Sequence, residues 1–215
     1  MDDDRAIDAV AALGDPLRRK LYRFVRDQDH AVGRDEAAEG VGASRSAAAF
    51  HLDRLVDDGL LETEFRRLTG RQGPGAGRPA KLYRRAGREI SVNLPDRRYG
   101  VAAGLLAAAV SGAADRGVPV DVVLHRVARE RGALVAARAG PPLEALAAEG
   151  YEPRAAGSEI LLGNCPFSGI VADHAELVCR MNLALLEGFA EALPEAGLTA
   201  RLQPADGACC VRLTR

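Results

Sequence analysis

The ten residues GRQGPGAGRP, Gly70 to Pro79, hold four glycines and two prolines. Such a run suits neither a helix nor the interior of a strand. It has to be a connection, and its neighbours show what it connects. On one side Leu60-Leu61 opens a segment that continues through Glu62, Thr63, Glu64 and Phe65; on the other Ala80 to Arg84 returns. Two short strands joined by a long glycine-rich tip form a hairpin. A nucleotide-cradling loop is disfavoured, because no Gly-Lys-Ser/Thr follows and the run lies between strands instead of opening a helix.

The segments before the hairpin read as a helical cluster. Asp4 to Leu13 forms a short helix with Ile7, Val10 and Ala11 on one side. Asp15 caps a second, with Pro16 at its first position and Leu17, Leu21, Phe24 and Val25 as its apolar stripe. A short third runs from Glu36 to Glu39. Ser44 caps a fourth, which puts Ala48, Leu52, Leu55 and Val56 on one face and Ser46, Phe50, Arg54 and Asp57 on the other before Gly59 stops it. Helices followed by a hairpin with a basic tip are the plan of a winged helix-turn-helix.

Charge points to a partner for this half. The net charge is −1, yet Phe65 to Arg88 contains no acidic residue and eight basic ones. A same-sign block in a nearly neutral chain marks a surface for something anionic. The expected DNA contacts are Ser44 and Ser46 to phosphate, Arg45 and Arg54 to bases or phosphates, and Phe50 to thymine methyl groups. Arg71, Arg78 and Lys81 of the basic block join them, with Arg78 suited to the minor groove. The runs LGDPLRRKLYRFV, ASRSAAAFHLDRLVDDGLLE and GRPAKLY resemble the DNA-binding half of ArsR-related bacterial transcription regulators. The resemblance implies that the helix from Ser44 to Asp58 enters the major groove.

Asn93-Leu94-Pro95-Asp96 breaks the pattern and separates residues 1–95 from 96–215. The second part reads as an α+β effector and dimerisation domain. Its helices are expected over Arg97 to Ala114, with Val101, Leu105, Ala108 and Ala109 on the apolar side, and over Val120 to Ala139, with Val123, Val127 and Leu134 inside. A short one follows from Pro141-Pro142. Then come a strand at Glu159 to Leu162, a helix from about His174 to Leu193 with Asp173 and Glu176 as its capping box, and a hairpin of Leu198 to Gln203 with Ala208 to Leu213. The acidic start Met1-Asp2-Asp3-Asp4 argues against a secretory signal. The bland run Val101 to Val110 is about half a membrane span. A cytoplasmic, non-enzymatic protein without membrane contact is expected.

All four cysteines, Cys165, Cys179, Cys209 and Cys210, fall in this second part. In a reducing compartment they point to metal or redox chemistry more than to disulfides. Three elements supply them, and Cys179 near a helix start favours a thiolate. Adjacent residues on a strand face opposite ways, so only one of the last pair joins Cys165 and Cys179. Cys209 shares its face with Val211 and Leu213 and is the preferred third ligand; Cys210 is the alternative. The fourth position falls to His174, another side chain, a small molecule or nothing. Buried core cysteine is the plainer reading of any one of the four.

NCPF, HAELVCRMNLALLEGF and CCVRL resemble the C-terminal half of SufR-type regulators, which control iron–sulfur biogenesis genes. The resemblance implies an iron–sulfur cluster, 2Fe-2S or 4Fe-4S, on Cys165, Cys179 and one of Cys209 and Cys210. The expectation is a homodimeric repressor that holds an inverted-repeat operator in double-stranded DNA while its cluster is present. The alternatives are the same DNA-binding half sensing zinc or a small apolar effector, and a thiol redox enzyme, which the missing Cys-x-x-Cys disfavours.

Overall fold

The computed structural model describes residues 3–67, 79–138, 140–204 and 207–215. It mixes helix and sheet in an α+β arrangement and divides into two compact units, Met1–Val92 and Asn93–Arg215. Among the described residues no helix is long and apolar enough to cross a membrane.

The first unit runs α1 (Asp3–Ala12), α2 (Pro16–Arg26), β1 (Val32–Gly33), α3 (Arg34–Val41), α4 (Arg45–Asp57), β2 (Leu61–Arg66) and β3 (Ala80–Arg85). The three strands form an antiparallel sheet in the order β1-β3-β2, with Tyr83 opposite both Val32 and Thr63. Local chemistry sets the helix ends. The Asp15 carboxylate accepts from Arg18 N at 2.8 Å, and Ser44 Oγ accepts from Ala47 N at 3.2 Å. Gly42 closes α3 at φ 69°, a left-handed conformation that costs glycine least. The core is Leu21 and Val25 of α2, Val32, Ala48, Leu52 and Leu55 of α4, Leu61 and Tyr83.

Two expectations change here. Helix α1 buries Ala6, Ala9 and Ala12 and leaves Ile7, Val10 and Ala11 exposed. Small side chains on the inner face let α1 lie close to the core, and hydrophobicity alone picked the wrong stripe. Strand β1 went unread because two residues carry no periodicity.

The second unit runs α5 (Tyr99–Arg116), α6 (Val120–Ala136), α7 (Pro142–Ala148), β4 (Pro153–Ala156), β5 (Glu159–Leu162), α8 (Ser168–Glu191), β6 (Thr199–Leu202) and β7 (Val211–Thr214). Its antiparallel sheet has the order β4-β5-β7-β6. Helix α8 is the centre of this unit and buries Met181, Leu185, Leu186 and Phe189. It crosses α6 with the backbones nearly touching. A Cβ added at Gly132 would lie 1.8 Å from Leu185 O, and one at Gly188 would lie 2.1 Å from Arg129 O. Two glycines, one on each helix, make this close approach possible.

Further corrections concern faces and ends. Leu134 is 63% exposed, and Val135 takes the inward position. Ala108 is exposed while Ala102, Leu105, Ala109 and Ala113 are buried. Strand β4 was missed because an edge strand that opens on proline and carries arginine lacks the usual apolar signal. Helix α8 begins at Ser168, not near His174, although His174 interrupts it with φ −136° and ψ 42°. Its first turn packs on α5: a Cβ at Gly169 would meet the Tyr99 hydroxyl at 2.3 Å.

Candidate cysteine site and nucleic-acid face

Helix α4 sorts its residues as its cap and stripe require. Ala48, Leu52 and Leu55 are buried, and Ser44, Arg45, Ser46, Phe50 and Arg54 are exposed. Phe50 is 62% exposed, an aromatic ring facing water on a helix otherwise well packed. Arg45 pairs with Asp35 of α3 at 2.5 Å. Arg54 has no ion pair among the described residues. Lys81 donates to Asp53 Oδ1 at 2.6 Å, and the nearly buried Tyr83 hydroxyl donates to the same oxygen at 2.7 Å. Arg71 and Arg78 lie outside the described residues.

The basic block is less uniform than its sequence. Arg66 pairs with Glu64 at 2.7 Å and Arg84 with Glu62 at 2.8 Å. Arg88 donates to the carbonyls of Asp58 and Gly59, at 3.0 and 2.9 Å, and so closes the end of α4. The acids come from α4 and from β2, outside most of the acid-free window. This mixed-sign face holds surface pairs worth about 0–1 kcal/mol each. A polyanion can displace them at little cost.

The second unit gathers its cysteines from three places. Cys165 follows β5, Cys179 lies on α8, and Cys209 and Cys210 precede β7 instead of opening it. Cys165, Cys179 and Cys210 line one cavity of about 570 Å³, together with Ser168, Glu176 and Arg180. Cys209 lies deeper, 2% exposed, on the Val211 and Leu213 side as alternation requires. Its Sγ accepts from Asn182 Nδ2 at 3.1 Å, and Asn182 Oδ1 accepts from the Tyr151 hydroxyl at 2.6 Å. The preferred third ligand is therefore a core thiol with a partner, and the alternative is the one on the cavity wall.

Adjacency did not separate the pair as far as alternation suggested. The Cys165 thiol hydrogen-bonds to Cys209, and Cys209 also interacts with Cys210. Donation to Cys209 and burial push the Cys165 thiol well up. Cys209 is pulled down by that hydrogen bond from Cys165, but Cys210 and burial outweigh it and leave the thiol up at about 11. Both are held protonated, so a metal has to displace protons to bind there. Cys179 sits on α8, five residues past the break at His174.

Cys165 is positioned by Asn164, whose role the sequence showed only as a neighbour. Asn164 Nδ2 donates to the carbonyls of Gly150 and Asp96 at 2.6 and 2.9 Å, and its Oδ1 accepts from Arg97 Nη1 at 2.6 Å. One buried amide thus ties the turn after β5 to the residues after α7 and before α5. His174, the expected candidate for the fourth position, lines a neighbouring cavity of about 700 Å³ with His125, Asp121 and Leu177, which shares Glu176 and Arg180 with the cysteine cavity.

Among the described residues no three His, Cys, Asp or Glu side chains group tightly enough to hold a single metal ion. Cys165, Cys179 and Cys210 instead line one cavity, each from a different part of the chain. No family model, curated protein or solved structure matches this chain.

Proposed function

We propose that the chain is a DNA-binding transcription regulator with an iron–sulfur cluster as its sensor. In this reading the first unit is a winged helix-turn-helix. Helix α4 is its recognition helix, offering Ser44, Arg45, Ser46, Phe50 and Arg54 to the major groove, while β2 and β3 are the wing that carries Lys81. The second unit dimerises, and the dimer reads an inverted repeat. Cys165, Cys179 and Cys210 hold the cluster. When bound, the cluster supplies an oxygen- and redox-labile group. The chain's own part is to exclude water with the α8 core and to fix Cys165 through Asn164.

The observation that carries the reading is the facing of three cysteines from three elements onto one cavity. Core packing explains Cys209, which is buried and satisfied; Cys165 and Cys210 pack on the edge of the core and, with Cys179, also face the cavity. A thiol redox enzyme is less well supported, because an active nucleophile needs a lowered pKa and Cys165 and Cys209 are raised. A small-molecule sensor is the second reading, favoured by the neighbouring 700 Å³ cavity lined by His125, Leu124 and Met181.

The test is anaerobic purification followed by visible absorbance, iron and sulfide analysis, and titration with promoter DNA. Visible charge-transfer bands with matched iron and sulfide are expected, with operator binding that changes when the cluster is removed. Two subunits with about four phosphate contacts each give a slope of log K against log salt of roughly −7. Colourless protein carrying stoichiometric zinc, or DNA binding indifferent to cluster removal, sinks the sensor assignment.

A further inference from the structure

The cysteine cavity has three thiols on its wall, and the donors beside them indicate what completes the set. The reasoning rests on the cluster reading above. Besides Cys165, Cys179 and Cys210, the described polar side chains on the wall are Ser168, Glu176 and Arg180. A guanidinium has no lone pair to give. A serine hydroxyl binds iron well only after losing a proton it holds tightly. A glutamate carboxylate offers two oxygens with lone pairs to give.

Its place in the fold is also suitable. Glu176 precedes Cys179 by three residues on α8, past the break at His174, so the two side chains leave the same face one turn apart. Its partner is Arg180, at 2.9 Å, with the two side chains 80% and 73% exposed. An exposed i,i+4 pair of this kind is weak and readily exchanged. Glu176 and Arg180 face both this cavity and the neighbouring one, whereas His174 lines only the neighbouring one.

We propose that Glu176 is the fourth ligand, giving one carboxylate oxygen to the iron nearest Cys179, while Arg180 stays alongside as a neutralising charge. A hard oxygen holds iron less firmly than a soft thiolate. The corner of the cluster held by Glu176 is then the exposed and weakest one. Glu176, with its exposed side chain, would then be the ligand an oxidant reaches first.

The experiment uses the full chain, reconstituted anaerobically with iron and sulfide, as wild type, Glu176→Gln, Glu176→Cys, Ser168→Ala and His174→Ala. The readouts are iron and sulfide content, the electron paramagnetic resonance signal of the dithionite-reduced protein, its midpoint potential, and the rate of bleaching in air. Glu176→Gln is expected to change the signal, raise the potential through loss of an anionic donor, and bleach several-fold faster. Glu176→Cys is expected to bleach more slowly than wild type. Ser168→Ala and His174→Ala are expected to match wild type in signal and potential. A Glu176→Gln protein identical to wild type in signal, potential and bleaching overturns the assignment, as does a shift confined to Ser168→Ala or His174→Ala. Wild type that takes up no iron and sulfide overturns the cluster reading as well, so the two failures are distinguishable. Glu176 is mostly exposed and its replacement leaves the core intact, which far-ultraviolet circular dichroism checks.

Discussion

The two units carry their chemistry in opposite ways. The first puts it on the outside: α4 buries Ala48, Leu52 and Leu55 and turns Phe50, Arg45 and Arg54 to solvent. The second puts it inside, on half-buried thiols, with the turn that carries Cys165 tied down by a buried asparagine. A surface that meets a long polymer needs only a rigid backing and a periodic outer face. A site for a small inorganic group needs donors from distant parts of the chain brought to one place. The first is a property of one helix and the second a property of the whole fold.

The largest effects should separate the units by breaking the packing of one at a time. Leu52→Ala empties a fully buried position in α4, at a cost of about 2–5 kcal/mol. Gly132→Ala drives a Cβ to 1.8 Å from the Leu185 carbonyl, and overpacking against backbone costs on the order of 3 kcal/mol. The chain has no tryptophan, so peptide-resolved hydrogen exchange is the suitable probe. Each substitution is expected to lower protection in its own unit and spare the other. Loss of protection across both units from either change contradicts the division at Val92.

What the sequence made legible follows the same line. The stripe of α4, its Ser44 cap and its stop at Gly59 were readable because each depends on residues within a few positions. Cys209 on the inward face was also readable, from strand alternation with Val211. The cavity was not. Which cysteine faces it depends on where α8, the turn after β5 and the β6–β7 connection meet, and no local pattern records that. Leu134 failed for a related reason: the inward face of α6 is set by Gly132 against α8, so a close crossing overrode the larger apolar residue. Arg88 counted as one charge of the basic block, because a charge run does not reveal which members reach back to cap a helix.

Asn164→Ala sharpens the comparison on the inner side. It leaves the carbonyls of Asp96 and Gly150 and the Arg97 guanidinium without this partner, and a buried polar group so stranded costs about 1–3 kcal/mol. The turn carrying Cys165 is then less constrained. Faster alkylation of Cys165 in metal-free protein is expected, read by mass spectrometry against Cys179 as internal standard. An unchanged rate with full stability shows that the turn is held by its backbone alone.

Asp53→Ala probes the outer side. Asp53 accepts from both Lys81 and Tyr83, and removing it costs about 1 kcal/mol of stability through the Tyr83 hydroxyl. It also frees the Lys81 charge. If β3 lies against DNA, affinity rises and the salt slope steepens by about 1. Weaker binding at unchanged fold indicates that Lys81 needs Asp53 to hold it in place.

The smallest effect is a pH dependence of the first unit. His30 pairs with Asp29 at 3.0 Å and with Glu36 of α3 at 2.7 Å. The hydrogen bond to Asp29, then that to Glu36, raises its pKa above the ordinary imidazole value. A raised pKa in the folded state means that folding favours the protonated ring. The contribution is complete below the unfolded value of about 6.5 and is lost as pH rises through the higher folded value. The ring is exposed, so the change is small and confined to the span from slightly acid to slightly alkaline. It should appear as a lower denaturant midpoint for residues 1–92 at pH 8.5 than at pH 5.5 in wild type, roughly. The His30→Gln difference between the two pH values should be smaller, because glutamine keeps hydrogen bonding without titrating. Equal pH dependence in the two proteins would assign the effect to other groups, and the loop before α3 would then be held without charge.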